Sequence, residues 1–512
     1  VTGDAAGTGT GTGTRRRWAV LAVLSGSLLI IAMDATILNV AFPSLVADLR
    51  PTSVEQLWII DAYALVLSGL LITAGALGDR WGRRRLLLIG FGIFAAASLL
   101  AVVATAPWVV IAARALLGVG GAAIMPSTIS ILRVVFTDPR ERAVAYSVWT
   151  AVIGAGMALG PLVGGLVVQA YGWKAAFLLN IPVAVVCVAF ALWLVPESSH
   201  PREGRWDWWG VVLSVVGMVS LAGGIKLVGG HDVPSGLALL VVAAVTLTLF
   251  VRRELRIANP LLAVRMFGDP VFSVSAVAIF LGMMALGAVL FLLTQWFQYA
   301  RGLEPFAAGL RLLPAPSMLI VAPLFTPRLM ERFSVRVVLG AGMALAAVGM
   351  AVPWVADLAG RLEYVEIAIA LLCLGAGFGI ATTAASVALL SSSPQEEAGG
   401  AAAVEEISYE LGTAMGVAGI GSLAAVVYRG DVPSLGLGEA QMARVRDSIG
   451  EAAVVAAQNG GGLGLRIMAA AASSFTHALG VSFAIAGILL LVSGYIGYRV
   501  IPPDFRPTES DH

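Results

Sequence analysis

Residues 18–43 read WAVLAVLSGSLLIIAMDATILNVAFP, and the fold turns on that stretch. About 20 apolar residues rising ~1.5 Å each cross a ~30 Å hydrocarbon core, so a run of this length is a bilayer-spanning helix. Asp34 stands inside it. An ionised carboxylate in hydrocarbon costs about 2.5–3.5 kcal/mol even on lenient insertion scales. Asp34 must therefore face a wet cavity, meet a partner charge or carry a proton. The rest of the chain is expected to supply that setting.

Of the 512 residues, 59% are hydrophobic and 12% charged, with a mean hydropathy of +0.91. These values exclude a soluble chain and predict an all-α polytopic membrane protein. Lys174 and Lys226 are the only lysines; arginine supplies the other basic residues. With the abundant Ala, Gly and Val, this usage points to a G+C-rich bacterial genome, and Val1 fits a GTG start codon read literally. Cys187 and Cys373 fall in apolar runs and read as small core residues, not a disulfide. His200, His231, His477 and His512 are all placed outside the spans, so no intramembrane metal site or HExxH chemistry is expected. Thr2 to Thr14, with the repeat GTGTGTGT, reads as a flexible tail lacking the pattern of a signal peptide.

Fourteen spans are predicted, at about 18–40, 57–78, 86–105, 107–131, 144–168, 175–195, 208–229, 235–251, 272–297, 306–327, 337–355, 364–390, 400–427 and 478–500. The loops assigned inside carry most of the arginines, among them Arg80, Arg83, Arg84, Arg85, Arg140 and Arg142. The short outer loops carry only Arg50, Lys174, Arg301 and Arg361. That asymmetry puts both termini in the cytoplasm, with Arg15, Arg16 and Arg17 anchoring the first span. Polar breaks at Pro196 to Asp207 and Arg252 to Asp269 isolate two helices between two groups of six. The expected organisation is a disordered tail (1–17), a six-helix bundle (18–196), an inserted hairpin with linkers (197–270), a second six-helix bundle (271–500) and a cytoplasmic C-terminal tail (501–512). The second bundle carries a long outer loop, 428–477, in which Gly438 to Gln458 has helical composition.

Depth along each helix follows from the rise per residue. Asp34, Asp61 on the second span and Arg114 on the fourth fall in one outer-half layer of the first bundle. A neighbouring arginine favours a charged carboxylate and desolvation a neutral one, so a small rearrangement can exchange a proton for a cation. In the thirteenth span Glu406 and Glu410, four apart, share a helix face, while Glu405 points about 100° away. They form a second candidate acidic site, reachable from inside. The plain alternative for Asp61 is a cap or anchor near the headgroups. For Glu405 and Glu406 it is a helix start whose dipole favours acids.

Three glycine-rich stretches complete the pattern. Gly75 to Arg85 reads GALGDRWGRRR: Gly75, Gly78 and Gly82 permit tight turns, and Asp79 can cap or meet a facing helix start. Arg114 to Ala122 reads RALLGVGGA, setting one charge on a glycine-lined face. Gly154 to Gly165 reads GAGMALGPLVGG, whose small residues and Pro161 imply close helix approach and a kink. Gly375, Gly377 and Gly379 read as packing alone.

Together and in this order, these stretches resemble the major facilitator superfamily, in particular its fourteen-helix drug:proton antiporters of the quaternary-ammonium efflux type. Met33 to Pro43 resembles the branch signature DxTxxNVAxP, Gly75 to Arg85 the superfamily loop motif, and Gly156 to Gly165 the antiporter motif GxxxGPxxGG. Gln295 to Pro314 and the pair Asp207 and Gly210 are similar to passages flanking and opening the inserted hairpin. The resemblance implies two pseudo-symmetric bundles rocking about a central cavity. It makes Asp34 a proton- and substrate-linked acid and Arg114 its polar partner. Asp79, Arg80 and Arg83 would form a conformational latch, and Gly156, Gly160, Pro161, Gly164 and Gly165 the antiport motif. Asp61, Glu405, Glu406 and Glu410 match acidic positions of the same exporters. Leu117 replaces a frequent Gln of the fourth-helix motif. Pro323 stands where some relatives that handle dications have an acid.

Neither lysine fits a phosphate loop GxxxxGK[ST], so an ion gradient is the expected driving force, with no cofactor. The primary expectation is efflux of lipophilic, often cationic drugs or antibiotics across the cell membrane in exchange for protons. A dedicated exporter of one natural-product antibiotic is the rival. An intramembrane enzyme lacks a GxSG stretch or membrane histidine, and a sensor lacks room for a signalling domain. The expected partners are small lipophilic substrates, protons and lipids, with no nucleic acid, and the chain is expected to act as a monomer.

Overall fold

The structure is a computed structural model and describes residues 10–51, 53–199, 206–229, 233–257, 260–394 and 397–505. Twenty α-helices follow one another among the described residues, with no strand. Local chemistry starts several of them. Asp138 accepts hydrogen bonds from the N–H groups of Arg140 and Glu141 at the start of α5 (Pro139–Tyr171), and Asp269 caps α10 (Pro270–Gln295) in the same way. In both, proline occupies the first turn, where no N–H is needed. Glu363 and Glu366 form a capping box at the start of α15 (Tyr364–Ser391).

Among the described residues, twelve helices are long and apolar enough to cross a membrane. They include α1 (Thr10–Leu49), α2 (Ser53–Trp81), α3 (Arg83–Val102) and α4 (Pro107–Val135). The pair α6 (Lys174–Leu178) and α7 (Asn180–Leu194) makes one span, and α8 (Trp208–Gly229) and α9 (Val233–Glu254) follow. The count of fourteen read from hydropathy differs at two segments. The fifth lies in α5, where only 162–171 counts as a shorter apolar helix. The tenth is cut into α11 (Pro305–Leu312), α12 (Pro314–Val321), a 3₁₀ turn at Ala322–Phe325 and α13 (Thr326–Arg332). Pro314, Pro316, Pro323 and Pro327 fall along it, each lacking an N–H for the helical ladder.

The chain ends also depart from the sequence reading. Helix α1 begins at Thr10, within the stretch read as a tail, and Arg17 is tied to Glu141 of α5 at 2.7 Å. The long loop over 428–477 folds in part into α18 (Glu439–Asp447) and α19 (Ile449–Asn459). The last helix, α20 (Gly461–Val500), starts well before position 478 and has 40 residues. His477 therefore lies inside a helix, one residue ahead of the span predicted at 478–500. Its ring Nδ1 is 3.1 Å from Asp357 on α14 (Val335–Leu358). The hydropathy window stopped short because Gly461–His477 is only moderately apolar.

In the first part of the chain α1 lies along α5, and α2 and α3 lie along α4. In the last part α14 packs between α15 and α20, and α10 lies against α16 (Ala398–Met415). Helices α8 and α9 pair with each other, and α8 leans on α2. The two parts meet where α2 and α4 cross α16 and where α5 crosses α12 and α15. Gly375, Gly377 and Gly379 do serve packing: they abut Ala315, Gly342 with Ala346, and Pro323.

Candidate functional site

Asp34 is 1% exposed and fully partnered. Arg114 Nη1 of α4 donates to its Oδ2 at 2.9 Å, and Asn180 Nδ2 donates to its Oδ1 at 2.8 Å. Arg114 is itself fixed, since its Nε donates to the Ile59 carbonyl at 3.2 Å and its guanidinium lies 4.6 Å from the Tyr63 ring centroid. Asn180 opens α7 just after the break at Leu179, and its Nδ2 also donates to Ser98 Oγ of α3 at 3.3 Å. Five helices thus converge on one carboxylate. Asp61 is half-buried on α2, about 200° round the helix from Tyr63 at ~100° per residue. The structure therefore does not turn it towards the face that carries Tyr63.

The α16 acids are arranged differently. Glu405 and Glu406 are both buried, which removes the reading of a headgroup-level helix start. Ser386 Oγ donates a short hydrogen bond to Glu405 Oε1, with Tyr409 OH at 3.5 Å. Neither oxygen of Glu406 has a hydrogen-bond partner among the described residues. Glu410 is half-buried on the face of Glu406. Tyr63 lies within electrostatic reach of Asp34, Arg114, Glu406 and Glu410, so the two acid groups look towards a shared zone. Glu405 faces away from it: Tyr146 of α5 lies within its reach, and Tyr409 meets the Trp149 ring at 6.1 Å.

On the arginine-rich side two cross-links hold the parts together. Asp79 accepts the Gly399 N–H at 3.1 Å at the start of α16, where helix N–H groups and the dipole favour an anion. Arg83 holds the same carboxylate at 2.7 Å, with both side chains buried. The backbones touch here, for a Cβ on Gly75 would lie 2.5 Å from the Gly399 carbonyl oxygen. Arg133 of α4 forms the second link, donating to Ser393 Oγ at 2.9 Å, to the Pro394 carbonyl at 3.2 Å and to the Ser393 carbonyl. Gly78 packs near Leu86. Gly82 takes φ +116°, and Arg80 lies 5.7 Å from the Trp206 ring. Glu197 receives the N–H groups of Arg84 and Arg85 at 3.2 Å and so caps α3.

In α5 the helix runs unbroken past position 161. Gly156, Gly160 and Gly164 bring it against Ala32, Thr36 and Ile37 of α1, all within one turn of Asp34. The side-chain placements of Pro161 and Gly165 lie outside the described residues. The inserted hairpin is closed by Asp207, which accepts Arg253 Nε and Nη2 at 2.8–3.0 Å and the Gly210 N–H at 3.0 Å. Burial alone would raise the Asp207 carboxyl, but these hydrogen bonds hold it below its ordinary value.

Sequence reasoning singled out Asp34, Arg114, Asp79, Arg83, Glu405 and Glu406 and overlooked Asn180, Ser98, Tyr63, Ser386 and Tyr409. A lone amide within an apolar run was a readable signal for Asn180. Nothing local marks the two serines.

The family model described as Major Facilitator Superfamily matches residues 24–417. The chain belongs to the major facilitator superfamily. Within it, the chain is similar to the multidrug efflux pump LfrA of Mycolicibacterium smegmatis, 37% identical over 94% of this chain and 95% of that one. It is also similar to the methyl viologen resistance protein SmvA of Salmonella typhimurium, 32% identical over 93% and 97%. The tetracenomycin C resistance and export protein of Streptomyces glaucescens is 30% identical over 96% and 94%. Among solved structures the fold is similar to that of the proton:xylose symporter XylE, with a TM-score of 0.62 at 13% identity, covering 96% of this chain and 97% of that one. The fold is that of the superfamily, and the chain is a multi-pass membrane protein.

Proposed function

We propose that this superfamily member exports lipophilic, often cationic drugs or antibiotics across the cell membrane in exchange for protons, by alternating access. One observation carries the reading: a carboxylate buried in a spanning helix, Asp34, bound to Arg114 and sharing a zone with Glu406, whose oxygens have no hydrogen-bond partner among the described residues. A carboxylate without a counter-charge in a low-dielectric interior is a receptor for a proton or a cation. Export is supported by the relatives, which are named for multidrug efflux, methyl viologen resistance and tetracenomycin C export.

In this reading α5 and the proline-cut segment α11–α13 cross the membrane as well, giving fourteen crossings with both termini cytoplasmic. The units are then bundles over 18–196 and 271–500, the first entered by the N-terminal extension of α1, and a hairpin with linkers over 197–270. Asp34, Asp61, Arg114, Glu405, Glu406 and Glu410 carry coupling. Gly75, Gly78, Asp79, Arg80, Gly82 and Arg83 form the latch, and Gly156, Gly160, Pro161, Gly164 and Gly165 the sliding face. The Asp79 and Arg133 cross-links then close the cytoplasmic side. A proton gradient drives the cycle without cofactor, metal or enzymatic step, and one chain suffices. A dedicated antibiotic exporter is the second reading, favoured by the tetracenomycin C relative.

The test is proteoliposomes with an imposed pH gradient and a fluorescent lipophilic cation, run beside a substrate panel. The cation should move with the wild type and stay put with Asp34→Asn. Undiminished coupled movement by Asp34→Asn would overturn the assignment of Asp34. A wild type that moves only one panel compound would favour the dedicated exporter.

A further inference from the structure

The Asp34 site pairs one fixed donor with one reversible partner. Arg114 is a guanidinium, donor only, and it is held in place by Ile59 and Tyr63. Asn180 is an amide, with donors at one end and an acceptor at the other, and Ser98 beside it is a hydroxyl that both donates and accepts. In the arrangement described, Nδ2 donates to both Asp34 Oδ1 and Ser98 Oγ, which suits a charged carboxylate.

We propose that Asn180 is a positioning residue that follows Asp34 through its proton cycle: a half-turn of its amide, with rotation of the Ser98 hydroxyl, partners both forms of the acid. When the Asp34 carboxylate takes a proton on Oδ1, the new O–H points where Nδ2 stood. A half-turn of the amide brings Asn180 Oδ1 there, and a carbonyl oxygen with two lone pairs accepts from Asp34 and from Ser98 together. Arg114 keeps its bond to Asp34 Oδ2 in both states. The Asp34 carboxyl and the Ser98 hydroxyl then each keep a partner in both states, an outcome a donor-only residue cannot achieve. On release the proton leaves Oδ1, the amide turns back and Ser98 again accepts. The proton stays on Asp34 throughout its stay and does not pass to the amide.

The charged and titratable groups around Asp34 are few among the described residues. Arg114 faces it from α4 and Tyr63 from α2, where Asp61 also lies. Glu406 and Glu410 of α16 reach the same zone through Tyr63. On α7, Cys187 sits lower, against Gly26 and Ser27. On α5, Glu141 is taken by Arg17, and Arg142 and Tyr146 lie near its start. On α6, Lys174 meets the Trp173 ring.

This inference rests on the antiport reading, and its test separates the two. Uptake of tetraphenylphosphonium into proteoliposomes is measured from pH 5 to 9 for the wild type, Asn180→Leu, Asn180→Gln and Ser98→Ala, with equilibrium binding of the same cation at fixed pH. The leucine removes both polar ends at nearly constant volume. The charged acid loses more than the neutral one, because hydrogen bonds to charged groups are the stronger. The transport midpoint of Asn180→Leu should move about one pH unit towards alkaline, and that of Ser98→Ala about half as far. Asn180→Gln should partly restore it, and plateau binding should stay within about threefold. A wild type that never moves the cation would defeat the antiport reading. A wild type that moves it while Asn180→Leu and Ser98→Ala both keep its pH midpoint would overturn the role of Asn180. If Asn180→Leu fails to fold, the Ser98→Ala midpoint decides alone.

Discussion

Asp34 and Glu406 are both buried acids in helices of the same molecule, yet their surroundings are opposite. Asp34 has a guanidinium on one oxygen and an amide on the other; Glu406 has a hydrogen bond on neither among the described residues. A buried ion pair is costly to assemble and costlier to break, since losing one partner strands the other charge. A lone buried acid is destabilising as it stands, and is relieved by whatever neutralises it. The first kind of site holds a geometry. The second waits for a ligand, and this contrast assigns positional memory to α1 and α4 and receptivity to α16.

The sharpest way to break that contrast is to remove the guanidinium. Arg114→Leu should destabilise the protein by about 3–5 kcal/mol, seen as a collapse of its thermal midpoint in detergent. The double variant Asp34→Asn with Arg114→Leu should recover much of the midpoint while leaving coupled transport dead. Equal midpoints for the single and double variants would show that the pair is not one unit.

Next in size, Glu406→Leu should raise stability by about 1–3 kcal/mol, because an unsatisfied polar group gives way to an apolar one of similar volume. Cation binding should fall in the same variant, whereas Asp34→Leu should lower stability. A midpoint that drops for Glu406→Leu would mean that ordered water serves this carboxyl. Ser386→Ala tests the intermediate case. It removes the donor on Glu405 and should cost about 1 kcal/mol in the same thermal assay.

The smallest effect belongs to the half-exposed pair at the hairpin. Arg253 is 38% exposed at its side chain, so solvent screens its bond to Asp207 and Arg253→Met should cost about 1 kcal/mol or less. The sign with pH follows from the lowered Asp207 carboxyl. A group held below its unfolded value stabilises above that value, about 3.9, and loses its contribution as pH falls through the folded one. The difference between wild type and Arg253→Met should therefore be full at pH 7 and be lost as pH falls through the lowered Asp207 value. A constant difference across that range would assign the effect to packing.

The spans were legible because twelve apolar runs are long enough to need no partner for their identification. Asp34 and Arg114 were legible because charge in an apolar run has few innocent explanations. Asn180 left a weaker signal, an uncharged amide in an apolar run, and only its three-dimensional neighbours Asp34 and Ser98 give it a meaning. The proline-rich tenth segment and the early start of α20 escaped because hydropathy measures transfer to lipid and not helix continuity. Glu405 and Glu406 were read as equivalents apart from direction. Only the packing of α16 against α5 and α15 shows that one is held by Ser386 while the other is not.

Helix α20 has 40 residues, about 60 Å at ~1.5 Å per residue, roughly twice the thickness of hydrocarbon it has to traverse. The surplus is a stalk, braced near its middle by His477 against Asp357. A rigid antibody fragment seated on that stalk would swing with the last helix as the molecule turned over. Turnover could then be filmed from beyond the bilayer, with every residue that touches cargo left as nature made it.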